Sequence, residues 1–434
     1  MPIWNKEAEC ASSLARQTVQ LHRLQNMVER VYSRVPFYRE KLERVGVNPD
    51  SITGLKDISR LPFTTKDELR QTYPYGLLAC DPADLVEIHT SSGTTGTPVV
   101  GAYTEADIDM WSDVMARTLS MAGCEKGDTV QNGYGYGLFT GGLGVHYGAR
   151  RIGANIIPVS SGNTRRQLML MRDFGTTHLT CTPSYSLFLA ESAREEGIDF
   201  RELALRAGCF GAEPWSESMR AEIESKLDIS AHDIYGLTEL IGPGVASECD
   251  QKNGQHFNED YFYPEIINPA TGEVLPDGEK GELVITSLQR EGTPLLRYRT
   301  RDITFLMREP CACGRTTARI HRLLGRTDDM MIIRGVNCFP SQIENVLMRI
   351  EGTQPHYQIV IDRGATHLDE IEVQVEVEEA IFSDLTSGME RLRKRIHDEL
   401  KSELGISAHI KLVEPRSIAR SEGKAQRIID KRSI

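Results

Sequence analysis

The chain has 434 residues, 40% hydrophobic and 26% charged, with a formal net charge of −12. That length exceeds one small core, so two or three domains are expected, and the acidic balance excludes a general nucleic-acid binder, which needs a basic face. No apolar run approaches the roughly 20 residues of a membrane span, the N-terminus lacks a cationic stretch followed by an apolar core, and nine scattered cysteines favour reduced thiols, so a cytoplasmic protein without a membrane partner is expected.

From the N-terminus, Ala11, Leu14, Leu21, Met27, Val28 and Val31 recur at threes and fours and predict a helix over residues 6 to about 33. It could pack on its own chain or, in a homodimer, on a second subunit. Pro36, Pro62 and Pro74 then break the chain into short helices and loops. From 84 to about 240, short apolar runs alternate with helix-like stretches: residues 85–88, then 154–159 before a helix from about 164, then 178–181 before a helix from Ser184. This alternation predicts an α/β class with a largely parallel sheet. After 255, strands at 261–267, 282–287 and 295–299 are divided by Pro/Gly turns and predict an antiparallel β subdomain over about 245–325. Beyond 330 follow a short strand, a helix from Ser341, strands at 357–361 and 371–377, a charged helix and a strand at 409–413. These predict a small α+β domain. The turn-prone Gly325-Arg326-Thr327-Asp328-Asp329 marks the boundary, giving domains 1–327 and 328–434.

Chemistry-bearing residues fall in several short runs. Ser91-Ser92-Gly93-Thr94-Thr95-Gly96 follows a strand and offers hydroxyls and backbone N–H groups to phosphate oxygens, though a solvated hairpin turn has the same composition. It lacks the Gly-Lys-Ser/Thr ending of a P-loop, which argues against an ordinary NTPase. In Asp233-Ile234-Tyr235-Gly236-Leu237-Thr238-Glu239, a tyrosine can stack on a purine, a threonine can meet phosphate and a glutamate can hold Mg²⁺; a buried strand entering a turn reads the same way. Asp302, after Tyr298-Arg299-Thr300-Arg301, is an acceptor suited to two ribose hydroxyls or the end of an ion-paired strand. Lys424 sits in the small, flexible Ser421-Glu422-Gly423-Lys424-Ala425 run; such a lysine is commonly just a solvated charge.

Cys249 and His256, with Cys311 and Cys313 in a separate turn, supply three sulfurs and one nitrogen, the donor set of a closed structural Zn²⁺ site. The Cys-x-Cys spacing is tighter than the usual Cys-x₂-Cys, and two coincidental pairs are the alternative. His89 reads as a satisfied strand histidine and Cys338 as packing.

Together and in this order, these runs resemble the adenylate-forming superfamily of acyl-CoA synthetases, adenylation domains and luciferases, from about residue 60 to the end. Gly211-Ala212-Glu213-Pro214-Trp215, the 297–302 run and residues 328–337 look most like its phenylacetate–CoA ligase branch. The resemblance implies ATP-dependent ligation of an aryl acid, phenylacetate foremost, to coenzyme A through an acyl-adenylate. It implies that residues 91–96 hold the β/γ-phosphates, Glu239 the Mg²⁺, Thr238 the α-phosphate, and Asp302 the ribose with Arg326 nearby. Glu213, Pro214, Asp233, Ile234, Tyr235 and Gly236 would shape the nucleotide site. Tyr136, Phe139, Gly211, Ala212 and Ile234 would line the acid slot. Lys424 would neutralise charge between carboxylate and α-phosphate, Asp328 would be the hinge, and Arg334 and Gly335 would help form the coenzyme A site. Thr97 stands where relatives commonly carry lysine. Transfer to a carrier protein, or a catalytically silent nucleotide-binding protein of this fold, are the alternatives; retention of Glu239, Asp302 and Lys424 argues against the silent form.

Overall fold

A computed structural model of the chain describes residues 2–91, 97–327, 331–333, 336–363, 369–379, 387–420 and 427–432. The chain divides into two compact units. The first comprises Met1–Cys181, Arg201–Ala212 and Ser230–Leu323; the second comprises Thr182–Phe200, Glu213–Ile229 and Leu324–Ile434.

The first unit is an α/β layer structure. Its strands, in chain order, begin with β1 (Leu85–Thr90), β2 (Val100–Thr104), β3 (Thr129–Asn132), β4 (Asn155–Ile157) and β5 (His178–Cys181). They continue with β6 (Ala207–Gly211), β7 (Ser230–Leu237), β8 (Gly242–Glu248) and β9 (Gln255–Phe257). In the nine-stranded sheet, β7, β6, β5, β3 and β4 lie side by side and all run parallel. β8 and β9, then the short strands Arg319–Ile320 and Leu306–Met307, extend it in antiparallel sense. Helices Glu105–Met121 and Thr140–Ile152 pack on each other, and both pack on β8. Two glycines on the second helix permit that close approach: a Cβ at Gly144 would strike the Trp111 ring, and one at Gly148 would strike Met115.

The antiparallel region predicted over about 245–325 is divided between two sheets. Strands Phe262–Ile267, Gly281–Ser287 and Tyr298–Thr304 form an antiparallel run of their own, while β8, β9 and the two short strands join the large sheet. The third strand starts at Tyr298, not at Leu295. Leu295 and Leu296 are fully buried packing residues, and Arg297 at φ 40° breaks the extended backbone before the strand begins. The first predicted helix is likewise interrupted. Lys6–Glu9, capped by Asn5, ends before Ser13–Arg34, whose N-cap Ser12 accepts from the Ala15 N–H. Leu24, Met27, Val28 and Val31 face the core, whereas Leu14 is exposed.

The second unit has a four-stranded sheet in the order His409–Val413, Asp369–Val377, Thr353–Arg363, Ile428–Asp430. The central pair is antiparallel and both edges join in parallel. The Ile428–Asp430 edge was not predicted. Helices Pro340–Leu347 and Ser387–Leu404 pack together, and their apolar residues build a separate core with Ile359, Ile371, Val373 and Val375. Cys338 is buried in that core, as its packing assignment requires. Glu344 is buried here: its carboxylate accepts from the Ser216 N–H at 3.0 Å and the Tyr357 hydroxyl at 2.9 Å.

A buried ion pair ties the N-terminal region to the antiparallel run. Arg297 donates from Nε and Nη2 to both Glu265 oxygens at 3.0 Å, and from Nη1 to the carbonyls of Ser59 and Leu61. Its guanidinium lies 4.1 Å from the Phe63 ring centroid. Removing one partner would leave the other charge buried and unpaired, so Arg297→Met is expected to cost about 3–5 kcal/mol. Denaturant unfolding checks this, and the Glu265→Leu/Arg297→Met double variant should lose less than the sum of the single losses.

Candidate active site

The parallel strands end at one edge of the sheet, and the runs singled out in the sequence follow those ends. β3 leads into Gly133 to Phe139, β6 ends at Gly211 and leads into Ala212, and β7 carries Tyr235 and Gly236 near its end and leads into the turn of Thr238 and Glu239.

β1 pairs with β2 in antiparallel sense, so the hydroxyl-rich run connects a hairpin. The turn reading and the ligand reading therefore fall on the same loop. Ser91 closes its base: its N–H donates to the Val99 carbonyl at 2.9 Å, and its hydroxyl accepts from the Val99 N–H at 3.0 Å. Ser92, Gly93, Thr94, Thr95 and Gly96 lie outside the described residues, and Thr97 is exposed. Leu138 lies against this hairpin, its carbonyl accepting from the Thr90 N–H at 3.1 Å. His89 is a satisfied strand histidine: buried, bonded through Nδ1 to Leu138 O and through Nε2 to Glu87, and edge-on to Tyr103 and Trp111.

On β7, the Tyr235 hydroxyl donates to Asp302 at 2.6 Å, joining two separately predicted residues; both are buried. The Asp302 N–H donates to Thr300 Oγ1, which orients the backbone there. The Asp233 N–H donates to buried Glu248 at 2.9 Å. Gly236 has a steric requirement: a Cβ would collide with the Gly242 carbonyl oxygen where β8 turns back. Thr238 lies with its hydroxyl 3.4 Å from that of Thr140. Glu239 is 6% exposed and its carboxylate meets Lys66 Nζ at 3.1 Å.

Lys66, Thr140 and Glu248 were missed. Thr65 and Glu68 form a capping box that starts the helix at Lys66, a signal present in the sequence, but its partner lies 173 positions away.

For the expected acid slot, Tyr136 and Phe139 lie on the loop after β3. The Tyr136 hydroxyl accepts from Asn132 Nδ2 at 2.9 Å and is 3.3 Å from His146 Nδ1. Burial raises the Tyr136 pKa against the Asn132 hydrogen bond, and burial with the charge of Arg150 lowers that of His146, so both rings are neutral at pH 7. Phe139 is 42% exposed and neighbouring Leu138 63%, an unusual display of apolar surface beside the hairpin. Gly211 pairs with Ile234 in the β6–β7 register, and a Cβ there would overlap the Ile234 carbonyl. Ala212 is exposed with φ 69°, a left-handed turn immediately after the strand. Glu213 belongs to the second unit, where its Oε1 accepts from the Ser184 N–H at 2.7 Å; Pro214 is exposed. Arg326, also in that unit, is half-buried. Asp328, Arg334, Gly335 and Lys424 lie outside the described residues.

The four predicted metal ligands converge. Cys249 Sγ lies 3.7 Å from Cys311 Sγ, Cys313 Sγ lies 3.4 Å from His256 Nε2, and the four donor atoms fall within 4.8 Å of one another. A disulfide would need about 2 Å between sulfurs. Tetrahedral Zn–S and Zn–N bonds of about 2.3 and 2.05 Å instead place ligand atoms roughly 3.6–3.8 Å apart. The His256 ring is oriented by a 3.0 Å bond from Nδ1 to Thr317, and burial with nearby Arg315 and Arg319 pushes its pKa down to about 3, leaving the neutral imidazole. A second grouping, Cys124, Asp128 and His178, differs: Arg206 already occupies both Asp128 oxygens at 2.6–2.7 Å.

Residues 7–289 match the family model of the AMP-binding enzymes, and residues 335–432 match that of the AMP-binding enzyme C-terminal domain. The chain belongs to the AMP-binding, adenylate-forming enzymes, in the phenylacetate–coenzyme A ligase branch. The branch rests on near-full-length relatives. A phenylacetate–coenzyme A ligase of Thermus thermophilus is 45% identical over 444 residues, covering 99% of this chain and 100% of the relative. One from Pseudomonas putida is 48% identical over 426 residues, covering 98% and 96%. Among solved structures, a 2-hydroxyisobutyryl-CoA ligase in complex with 2-HIB-AMP has a TM-score of 0.92 at 29% identity, covering 98% of this chain and 92% of that one.

Proposed function

We propose that this enzyme activates an aryl carboxylic acid, phenylacetate foremost, and transfers it to coenzyme A. It is an AMP-forming acid–thiol ligase that works through an acyl-adenylate. The carrying observation is co-linearity: relatives named phenylacetate–coenzyme A ligase align over 98–99% of the chain at 45–48% identity.

In the first step a carboxylate oxygen attacks the α-phosphorus of ATP and pyrophosphate departs. In the second the thiol sulfur of coenzyme A attacks the acyl carbon, loses its proton and displaces AMP. The physical obstacle to the first step is an anion approaching a polyanion. Residues 91–96 are assigned to the β/γ-phosphates, Thr238 to the α-phosphate and Lys424 to the charge that builds between carboxylate and phosphorus. Mg²⁺, when bound, offsets phosphate charge, and Glu239 is its ligand; the Lys66 ammonium that now meets Glu239 keeps that buried carboxylate paired. The resemblance assigns Asp302 and Arg326 to the ribose side of the nucleotide, and the hydrogen bond from Tyr235 aims the Asp302 carboxylate. Glu213, Pro214, Asp233, Ile234, Tyr235 and Gly236 are assigned by the resemblance to recognition of the base. Tyr136, Phe139, Gly211, Ala212 and Ile234 form the acid slot. Residues 328–434 act as a mobile domain hinged at Asp328, with Arg334 and Gly335 serving the coenzyme A step. The setting is cytoplasmic.

Cys249, His256, Cys311 and Cys313 are assigned to one structural Zn²⁺. Four protein donors leave no open position for substrate.

Lys424→Ala should slow adenylation roughly a hundredfold to a thousandfold while leaving thioester formation from pre-made acyl-adenylate largely intact. Rapid-quench measurement of each half-reaction checks this, and comparable loss in both would contradict the role. Metal analysis of protein purified without chelator should find about one zinc per chain, and Cys311→Ser/Cys313→Ser should lose it with a lower melting temperature. Less than about half an equivalent would count against the site.

A further inference from the structure

The described residues on both sides of the Lys424 segment are tied to one helix. Ser184, Glu191 and Glu195 of helix Pro183–Glu195 are spaced by seven and four residues, so they lie within about 40° of one face. Arg416 pairs with Glu195, Arg420 Nε meets Glu191 Oε2 at 3.2 Å, and Arg427 Nη2 donates to Ser184 Oγ at 3.2 Å. The attachments step down the helix as the chain advances from 416 to 427. Lys424 falls between the second and the third.

The Arg420 attachment is the most enclosed of the charged ones. Its side chain is 13% exposed and that of Glu191 20%, whereas Arg416 and Glu195 are 63% and 49% exposed, an open pair of little weight. Glu191 also receives His356 Nε2 at 2.8 Å, and Arg420 donates from Nη1 and Nη2 to Glu376 at 2.7 and 2.9 Å. Burial opposes the Glu191 charge, but His356 and Arg420 outweigh it and hold the pKa down at about 2. On the far side, Arg427 is fixed over the Tyr357 ring at 4.3 Å and donates to the Pro355 and Tyr357 carbonyls. His356, Glu376, Arg420 and Arg427 all lie within the 335–432 match to the C-terminal family model; Glu191 does not. Among the described residues, Glu191 is therefore a half-buried charge that ties that segment to helix Pro183–Glu195.

We infer that Glu191 is a positioning residue for the adenylation half-reaction: it holds Arg420, four residues before Lys424 in the sequence, together with His356. This rests on the proposed assignment of Lys424 to adenylation. Thioester formation, which does not use Lys424, gains nothing from the tie. Glu376 would remain on Arg420 after Glu191 is changed, so the sheet of the second unit keeps its own partner.

The test uses the full-length enzyme, with pyrophosphate release measured in a single turnover and thioester formation measured separately from synthetic acyl-adenylate. Glu191→Ala should lower adenylation about tenfold to a hundredfold, in rate more than in KM for ATP, with thioester formation within about twofold of wild type. Glu191→Asp should restore part of the loss, and Glu195→Ala should change neither step by more than about twofold. If the alanine variant does not fold, Glu191→Gln, which keeps shape and removes charge, carries the same expectation. Equal losses in both half-reactions, or unchanged adenylation, would overturn the inference while leaving the functional reading intact. A wild-type enzyme that forms no adenylate from any carboxylic acid would overturn the reading itself, and this inference with it.

Discussion

Five neighbouring strands that all run the same way, β4, β3, β5, β6 and β7, determine where ligand-binding residues can gather in this protein. Parallel strands send every following loop out at one edge, and loops that leave together can build a site from residues remote in sequence. The loop after β3, the turn after β6 and the end of β7 all use that edge. The sheet then reverses at β8, where Gly236 is needed because the returning backbone leaves no room for a side chain. The same reversal brings Glu248 to the Asp233 N–H.

A net charge of −12 makes the binding of a nucleotide triphosphate a local problem. Long-range attraction is unavailable, so charge must be met by nearby donors, a bound cation and fixed dipoles. Four carboxylates among the described residues, buried or half-buried, each face an assigned counterpart. Glu239 meets Lys66, Asp302 receives Tyr235, Glu265 holds Arg297, and Glu191 holds His356 and Arg420. Burial raises the interaction strength of each pair and equally the cost of losing one member.

Much of this was legible in the sequence because it depends on local patterns. Alternating apolar runs and helix-like stretches indicated the parallel sheet, and the strand–helix order beyond residue 330 indicated the small α+β region. The Cys249, His256, Cys311 and Cys313 cluster was legible as a donor set although its convergence was not, since Cys249 and Cys311 are 62 positions apart. Other features failed for physical reasons. Strand boundaries around Tyr298 depended on a positive φ at Arg297 that no hydrophobic pattern encodes. Whether β8 and β9 joined the large sheet or the smaller one was a question of tertiary pairing. Lys66 carries only the local signal of a capped helix start, and the sequence around Glu191 and Glu195 carries no signal of Arg416 and Arg420, which are more than 200 positions away.

The central claim is that a carboxylic acid is activated by ATP and delivered to coenzyme A. The most direct measurement incubates the purified enzyme with Mg·ATP and a panel of aryl and alkyl acids, with and without coenzyme A, and quantifies AMP, pyrophosphate and acyl thioester. The account predicts acid-dependent AMP and pyrophosphate in equal amounts, with free acyl-coenzyme A formed in step with AMP and phenylacetate among the best acids. ADP in place of AMP, or adenylate that never becomes a coenzyme A thioester with any acid, would contradict it.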